Sequence, residues 1–227
     1  MPAAFADESA RAGFIRRTYT HLFGAIVALI GIEAVIFTLV PKAQMMQFVQ
    51  GVSPWTWLIA MGLFMLIGWV ARSWASNGAS PGMQYAGLSL YVVAEAVLLF
   101  PLLYVAIVFV DPKTPLMAAI ITLAVFGGLT AFVFVTGADF SGWGRYLAFG
   151  GIVALGAIFA GVVMGFSLGL WFSVAMVALA AGYILYDTSN VMHHYHTNQH
   201  VAASLALFAS VTLLFWYVLR ILMAFAD

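Results

Sequence analysis

The stretch from Ala181 to Leu222 reads AGYILYDTSNVMHHYHTNQHVAASLALFASVTLLFWYVLRIL. Two apolar runs flank a polar, histidine-rich connection; the first closes on Asp187 and the second extends from Val201 to Met223. About 20 apolar residues in a helix cross a hydrocarbon core of about 30 Å, so this stretch predicts a span, a short loop and a return span. Working back toward the N-terminus, blocks of similar length follow one another: His21–Val40, Trp55–Ala71, Tyr85–Val110, Pro115–Thr136, Tyr146–Gly165 and Gly169–Asp187. With Val201–Met223 they make seven, and they use most of the 227 residues. The expectation is an all-α integral membrane protein, one membrane domain over 1–227, with residues 1–20 as a polar N-terminal segment.

Composition agrees. The chain is 65% hydrophobic and 7% charged, against about 25% charged residues in soluble domains. Eight basic residues balance eight acidic ones, which removes the basic footprint of a nucleic-acid binder. The absence of cysteine excludes disulfides, thiolate nucleophiles and cysteine-based zinc or iron–sulfur sites. Asp7, Glu8, Arg11, Arg16 and Arg17 precede the first apolar block, a pattern unlike a signal peptide. Basic residues mark the side that stays in the cytoplasm. Arg11, Arg16, Arg17, Arg72 and Arg145 fall on the N-terminal side and only Lys42, Lys113 and Arg220 on the other, so the N-terminus is expected to be cytoplasmic and the C-terminus outside.

Inside a membrane, ionisable residues carry the information because each costs a few kcal/mol or more at mid-depth. Glu33 lies within the first block and Glu95 within the third, about 15 Å from its start at 1.5 Å per residue. Arg72 and Asp187 end the second and sixth blocks on the same side, which permits a charge-to-charge latch; snorkelling and solvation explain them equally well. His193, His194, His196 and His200 read as a solvated loop. Were that segment helical, His196 and His200 would share a face and offer two metal ligands. His21 reads as an interfacial residue. Ala157, Gly161 and Gly165 form a small-residue stripe suited to close helix approach, and Gly127, Gly128, Gly150 and Gly151 suit the same role. Pro101 implies a kink beside Glu95, Trp55, Trp57, Trp69 and Trp74 read as interface anchors, and Lys42–Ser53 as a surface segment.

Several classes fall away. Lys42 and Lys113 both lie in loops, so no lysine is placed for a retinal Schiff base. No histidine lies well inside a block, which argues against a membrane serine protease. A seven-helix zinc hydrolase would need a third ligand beside His196 and His200, and stands as a lesser alternative.

Tyr183-Ile184-Leu185-Tyr186-Asp187, the short polar loop and the closing Leu219-Arg220-Ile221-Leu222 resemble the Bax inhibitor (transmembrane Bax inhibitor motif) family, in its bacterial branch. Phe100-Pro101 and Asp139-Phe140-Ser141 fit as well. The resemblance implies six helices around a central seventh and a non-enzymatic, pH-sensitive cation leak, chiefly for calcium, with no cofactor. It also implies a proton-sharing pair of aspartates on the last two helices, and an arginine ending the second helix that holds the closed state. Here the first aspartate matches Asp187 and the arginine Arg72; the second aspartate's place, counted back from Arg220, holds Ser210. Two adjacent carboxylates cannot easily both ionise. Asp187 facing a serine lacks that repulsion, so the expected pH response is weaker than in relatives with both, or shifted to lower pH. Calcium prefers several oxygens, and Glu95 or Glu33 are candidate pathway carboxylates. The rival expectation is a stress-linked protein of the bacterial inner membrane that binds and restrains a membrane protease through an exposed, mobile segment from Met1 to Thr20.

Overall fold

The computed structural model describes residues 2–78 and 80–226. Eight α-helices follow in order: α1 (Glu8–Leu39), α2 (Lys42–Gly51), α3 (Pro54–Ala75), α4 (Pro81–Val105), α5 (Thr114–Thr136), α6 (Gly144–Met164), α7 (Gly169–His193) and α8 (His200–Ala226). All except α2 are long and apolar enough to cross a membrane. The short α2 is the expected surface segment, and it seats Met45 against Phe100 and Tyr104 of α4. Helix starts are written locally. Ser53 and Ser80 each accept a hydrogen bond at the head of α3 and α4, from Thr56 N at 3.1 Å and Met83 N at 3.3 Å. A proline follows each cap, where its missing N–H costs nothing.

α8 is the hub. It packs against α7, α1, α5, α4 and α3, and α6 joins it through Ala154, Met176 and Tyr217. Its inward positions include Ala202, Ala203, Ser204 and Ser210, small enough to admit neighbours from several directions. The outer helices present Leu63, Trp69, Ile120, Phe149 and Trp171 outward, each more than half exposed. An apolar exterior of this kind matches hydrocarbon rather than water.

Several expectations change. α1 begins at Glu8, not His21, and α7 continues to His193. Asp187 therefore lies within a helix, about 9 Å from its end at 1.5 Å per residue, and it is 8% exposed rather than solvated. The N-terminal segment is anchored at its start, while Ala4, Phe5 and residues 7–10 are exposed. The Ala3 amide donates to Tyr195 O at 2.8 Å, Pro2 pairs with His196, and Ala3 and Phe14 are fully buried; Met1 lies outside the described residues.

The small-residue stripe on α6 also works differently. A Cβ on Gly161 would press on Phe166 O at 3.1 Å, while Gly165 ends α6 with φ of +72°, so the stripe seats the following turn instead of a partner helix. Gly127 and Gly128 face open space, whereas Gly150 and Gly151 do meet α7. A close helix approach is at Gly87, where a Cβ would fall 2.5 Å from Ala71 O of α3. Among the tryptophans, Trp55 and Trp69 face outward, but Trp57 turns inward and stacks on Trp216, with ring centres 5.5 Å apart.

Candidate functional site

A cavity of about 690 Å³ lies between α3, α4, α6, α7 and α8. It extends from the level of Pro54, Gly165 and Arg220 to the level of Arg72, Tyr183 and Ser210. Trp57, Trp216 and Tyr217 make one end aromatic, and Glu95 lines the middle. The α8 lining falls at 209, 210, 212, 213, 216, 217 and 220, the three-and-four spacing of one helix face.

At the inner end, the Ser210 hydroxyl donates to Asp187 Oδ2 at 2.5 Å. The position counted back from Arg220 thus does face Asp187. Ser210 lines the cavity and Asp187 does not, so the hydroxyl stands between the carboxylate and the open volume. Tyr183, one turn before Asp187, reaches across to α6 and donates to Leu147 O at 3.0 Å. Gly151 leaves room for it, since a Cβ there would come within 3.3 Å of the Tyr183 hydroxyl.

Arg72 lines the same inner end and faces Tyr91. The direct Arg72–Asp187 pair does not form. Among the described residues the one ion pair is His194 with Asp139, at 4.0 Å, and Ser210 takes the place a latch would occupy. The Arg72 charge nevertheless acts on Asp187 through space. Glu95 is 5% exposed, shares this cavity and has the Thr212 hydroxyl beside it. Glu33 does not line the cavity; its two carboxylate oxygens are buried with no hydrogen-bond partner.

The connections on the N-terminal side hold the end of α7. Ser189 accepts from Phe140 N at 3.0 Å and donates to Ala138 O at 3.2 Å, which pins the Asp139-Phe140-Ser141 turn. The Ser141 amide donates to Asp139 Oδ1 at 2.9 Å. That bond first, then the Ser141 side chain and the nearby His193 and His194, hold the Asp139 carboxyl below the usual carboxylate range. Tyr195 in the α7–α8 turn is pushed well above the usual phenol value by burial, and next by the Asp187 charge.

The histidine segment is not a helix face. His193 closes α7, His196 sits in the turn and His200 opens α8, so His196 and His200 do not stack as metal ligands. Instead, the His200 ring lies edge-on to His21, with centres 4.9 Å apart. Among the described residues no group of three His, Asp or Glu side chains converges on a metal position.

Sequence reading gave Tyr91, Trp216 and Thr212 no role, quoted Tyr183 only within the motif and took Trp57 for an interface anchor. The α8 spacing could have found Thr212 and Trp216, and the one-turn intervals Tyr183–Asp187 and Tyr91–Glu95 the two tyrosines.

Fold and site together define a multi-pass α-helical membrane protein whose mainly apolar cavity, with Arg72 and Glu95 in its wall, ends on a hydroxyl–carboxylate contact against its central helix. The family model described as "Inhibitor of apoptosis-promoting Bax1" matches residues 11–227. The chain belongs to this Bax inhibitor family. It is 29% identical over 225 residues to "Bax inhibitor 1" of Schizosaccharomyces pombe, covering 97% of this chain and 80% of that one. It is 28% identical over 231 residues to "Protein LIFEGUARD 4" of Arabidopsis thaliana, covering 98% and 89%. With "Protein lifeguard 4" of Mus musculus the identity is 33% over 142 residues, covering 60% and 58%.

Proposed function

We propose that the chain is a passive, proton-modulated cation leak, chiefly for calcium, in a bacterial inner membrane with its N-terminus cytoplasmic. Asp187 is the sensing carboxylate, Ser210 its hydroxyl partner, Glu95 the carboxylate a cation meets in the cavity, and Arg72 the charge that closes the inner end. The observation that carries this reading is the Ser210–Asp187 contact at the end of a cavity that also holds Glu95. A fixed guanidinium there repels cations, so this arrangement is the closed one, and conduction requires Arg72 and Ser210 to part from their present neighbours. With one carboxylate where the family resemblance implies two, mutual repulsion is absent and proton control is shallow.

Calcium flux into liposomes tests it, over about pH 6 to 8. Wild-type protein leaks, Asp187→Asn changes the leak, and Ser210→Asp steepens its pH dependence. Wild-type flux equal to that of empty liposomes would sink the reading. The protease-restraining alternative draws on the exposed part of the N-terminal segment, since Ala3 is buried against the α7–α8 turn while Ala4, Phe5 and residues 7–10 are exposed.

A further inference from the structure

A second cavity, of about 390 Å³, lies apart from the first, between α1 and α4. His21, Gly24, Ala28 and Ile32 line it from α1, and Ser89 and Val93 from α4. It is a groove on the perimeter of the bundle. Its neighbours Phe23, Val27, Ile30 and Val97 are each at least half exposed, and they face hydrocarbon in a membrane-spanning bundle. The groove exists because α1 places small residues along it: a Cβ on Gly24 would meet nothing within 4 Å. From Thr20 to Ile32 it extends about 18 Å at 1.5 Å per residue, close to one leaflet of a hydrocarbon core of about 30 Å.

The end nearer the N-terminus is polar, positive and fixed. His21 Nδ1 lies 2.7 Å from Arg17 O and Nε2 lies 3.1 Å from the Tyr85 hydroxyl. The carbonyl can only accept, so Nδ1 carries the proton and the tyrosine hydroxyl donates to Nε2. Arg17, one turn before His21 on the same face, is exposed. Its Nε donates to Gly13 O at 3.3 Å, which leaves both terminal amino groups for an anion. Arg16 is exposed beside it. No carboxylate lines the groove.

We propose that this groove holds one anionic phospholipid, with an acyl chain along Gly24, Ala28 and Ile32 and the headgroup phosphate on the Arg17 guanidinium. Apolar length matched to one leaflet selects a lipid chain, and the arginines at its head select a negative headgroup. His21 and Tyr85 set the floor where chain and headgroup meet.

The test uses the full chain in detergent, with retained lipid read by native mass spectrometry and thermal stability in parallel. The probes are phosphatidylglycerol, phosphatidylcholine and soluble glycerol phosphate. Phosphatidylglycerol is retained and raises the melting temperature, while the other two do neither. Arg17→Gln removes the anion contact and lowers phosphatidylglycerol retention by about tenfold, the equivalent of one charged hydrogen bond, and Gly24→Leu fills the groove and lowers retention as well. Gly127→Leu, also in open space but remote on α5, leaves it unchanged and controls for folding. Equal retention of phosphatidylcholine, wild-type retention by both groove variants, or an equal shift with glycerol phosphate alone would each overturn the proposal.

Discussion

Gly87→Ala adds a single methyl group, and the structure states what it strikes. The new Cβ falls 2.5 Å from Ala71 O, 2.8 Å from Ala75 N and 3.0 Å from Trp74 Cβ. Comfortable separations are about 3.5 Å or more, so α3 and α4 must part by about 1 Å. The struck atoms are mainly backbone and cannot rotate aside. Overpacking of this kind costs about 1–3 kcal/mol, and the rigid partners place this site at the upper end. Replacing a helical glycine by alanine returns about 0.5–1 kcal/mol, leaving a net loss of about 2 kcal/mol. At about 2–4 °C per kcal/mol for a chain of this size, the melting temperature falls by about 4–8 °C. The assay is thermal melting of purified protein in detergent, with Gly127→Ala as the reference, since a Cβ there meets nothing within 4 Å. Ala71 adjoins Arg72, and Tyr91 lies one turn beyond Gly87, so the same displacement pulls the guanidinium from its phenol, and under the proposed leak it alters flux as well. If Gly87→Ala melts with or above the Gly127→Ala protein, the close α3–α4 approach is wrong.

Other perturbations have equally definite outcomes. Ser189→Ala leaves the Phe140 amide without its partner and costs about 1–3 kcal/mol; proteolysis at the α5–α6 turn should accelerate, and an unchanged cleavage rate contradicts the docking. The Asp139 carboxyl is depressed in the folded protein. Its contribution is therefore complete above the unfolded value of about 3.9 and fades as pH falls through the lower folded value. Asp139→Asn should lose stability at neutral pH and narrow its gap to wild type in acid; a gap independent of pH refutes the assignment.

The seven apolar blocks were legible because lipid imposes one strong constraint on length and hydropathy, and loops between them are polar. Helix ends were less so: α1 carries its helix across Arg11, Arg16 and Arg17, and charged residues there gave no apolar signal. Asp187 and Ser210 were matched through the family resemblance, by counting back from Arg220, and the α7–α8 hairpin does bring the two side chains together. The reach of Arg72 was not legible, because its distance from Asp187 depends on how α3 leans across a cavity, a tertiary property without a local trace. Glu95 and Glu33 looked alike in sequence, each a lone carboxylate in an apolar run. Only packing separates them, one beside a cavity and a hydroxyl, the other enclosed without a partner.

The helix at the centre of this bundle follows every helix that surrounds it. A ribosome therefore delivers the six walls before the post they lean on. Until α8 enters, Glu95 has no Thr212 beside it and Asp187 has no Ser210, and each carboxylate must be sheltered by lipid headgroups, water or an insertion factor. Assembly is then a late, concerted closure instead of a helix-by-helix accumulation. Chains halted before His200 should be cleared by quality control as unfinished membrane segments.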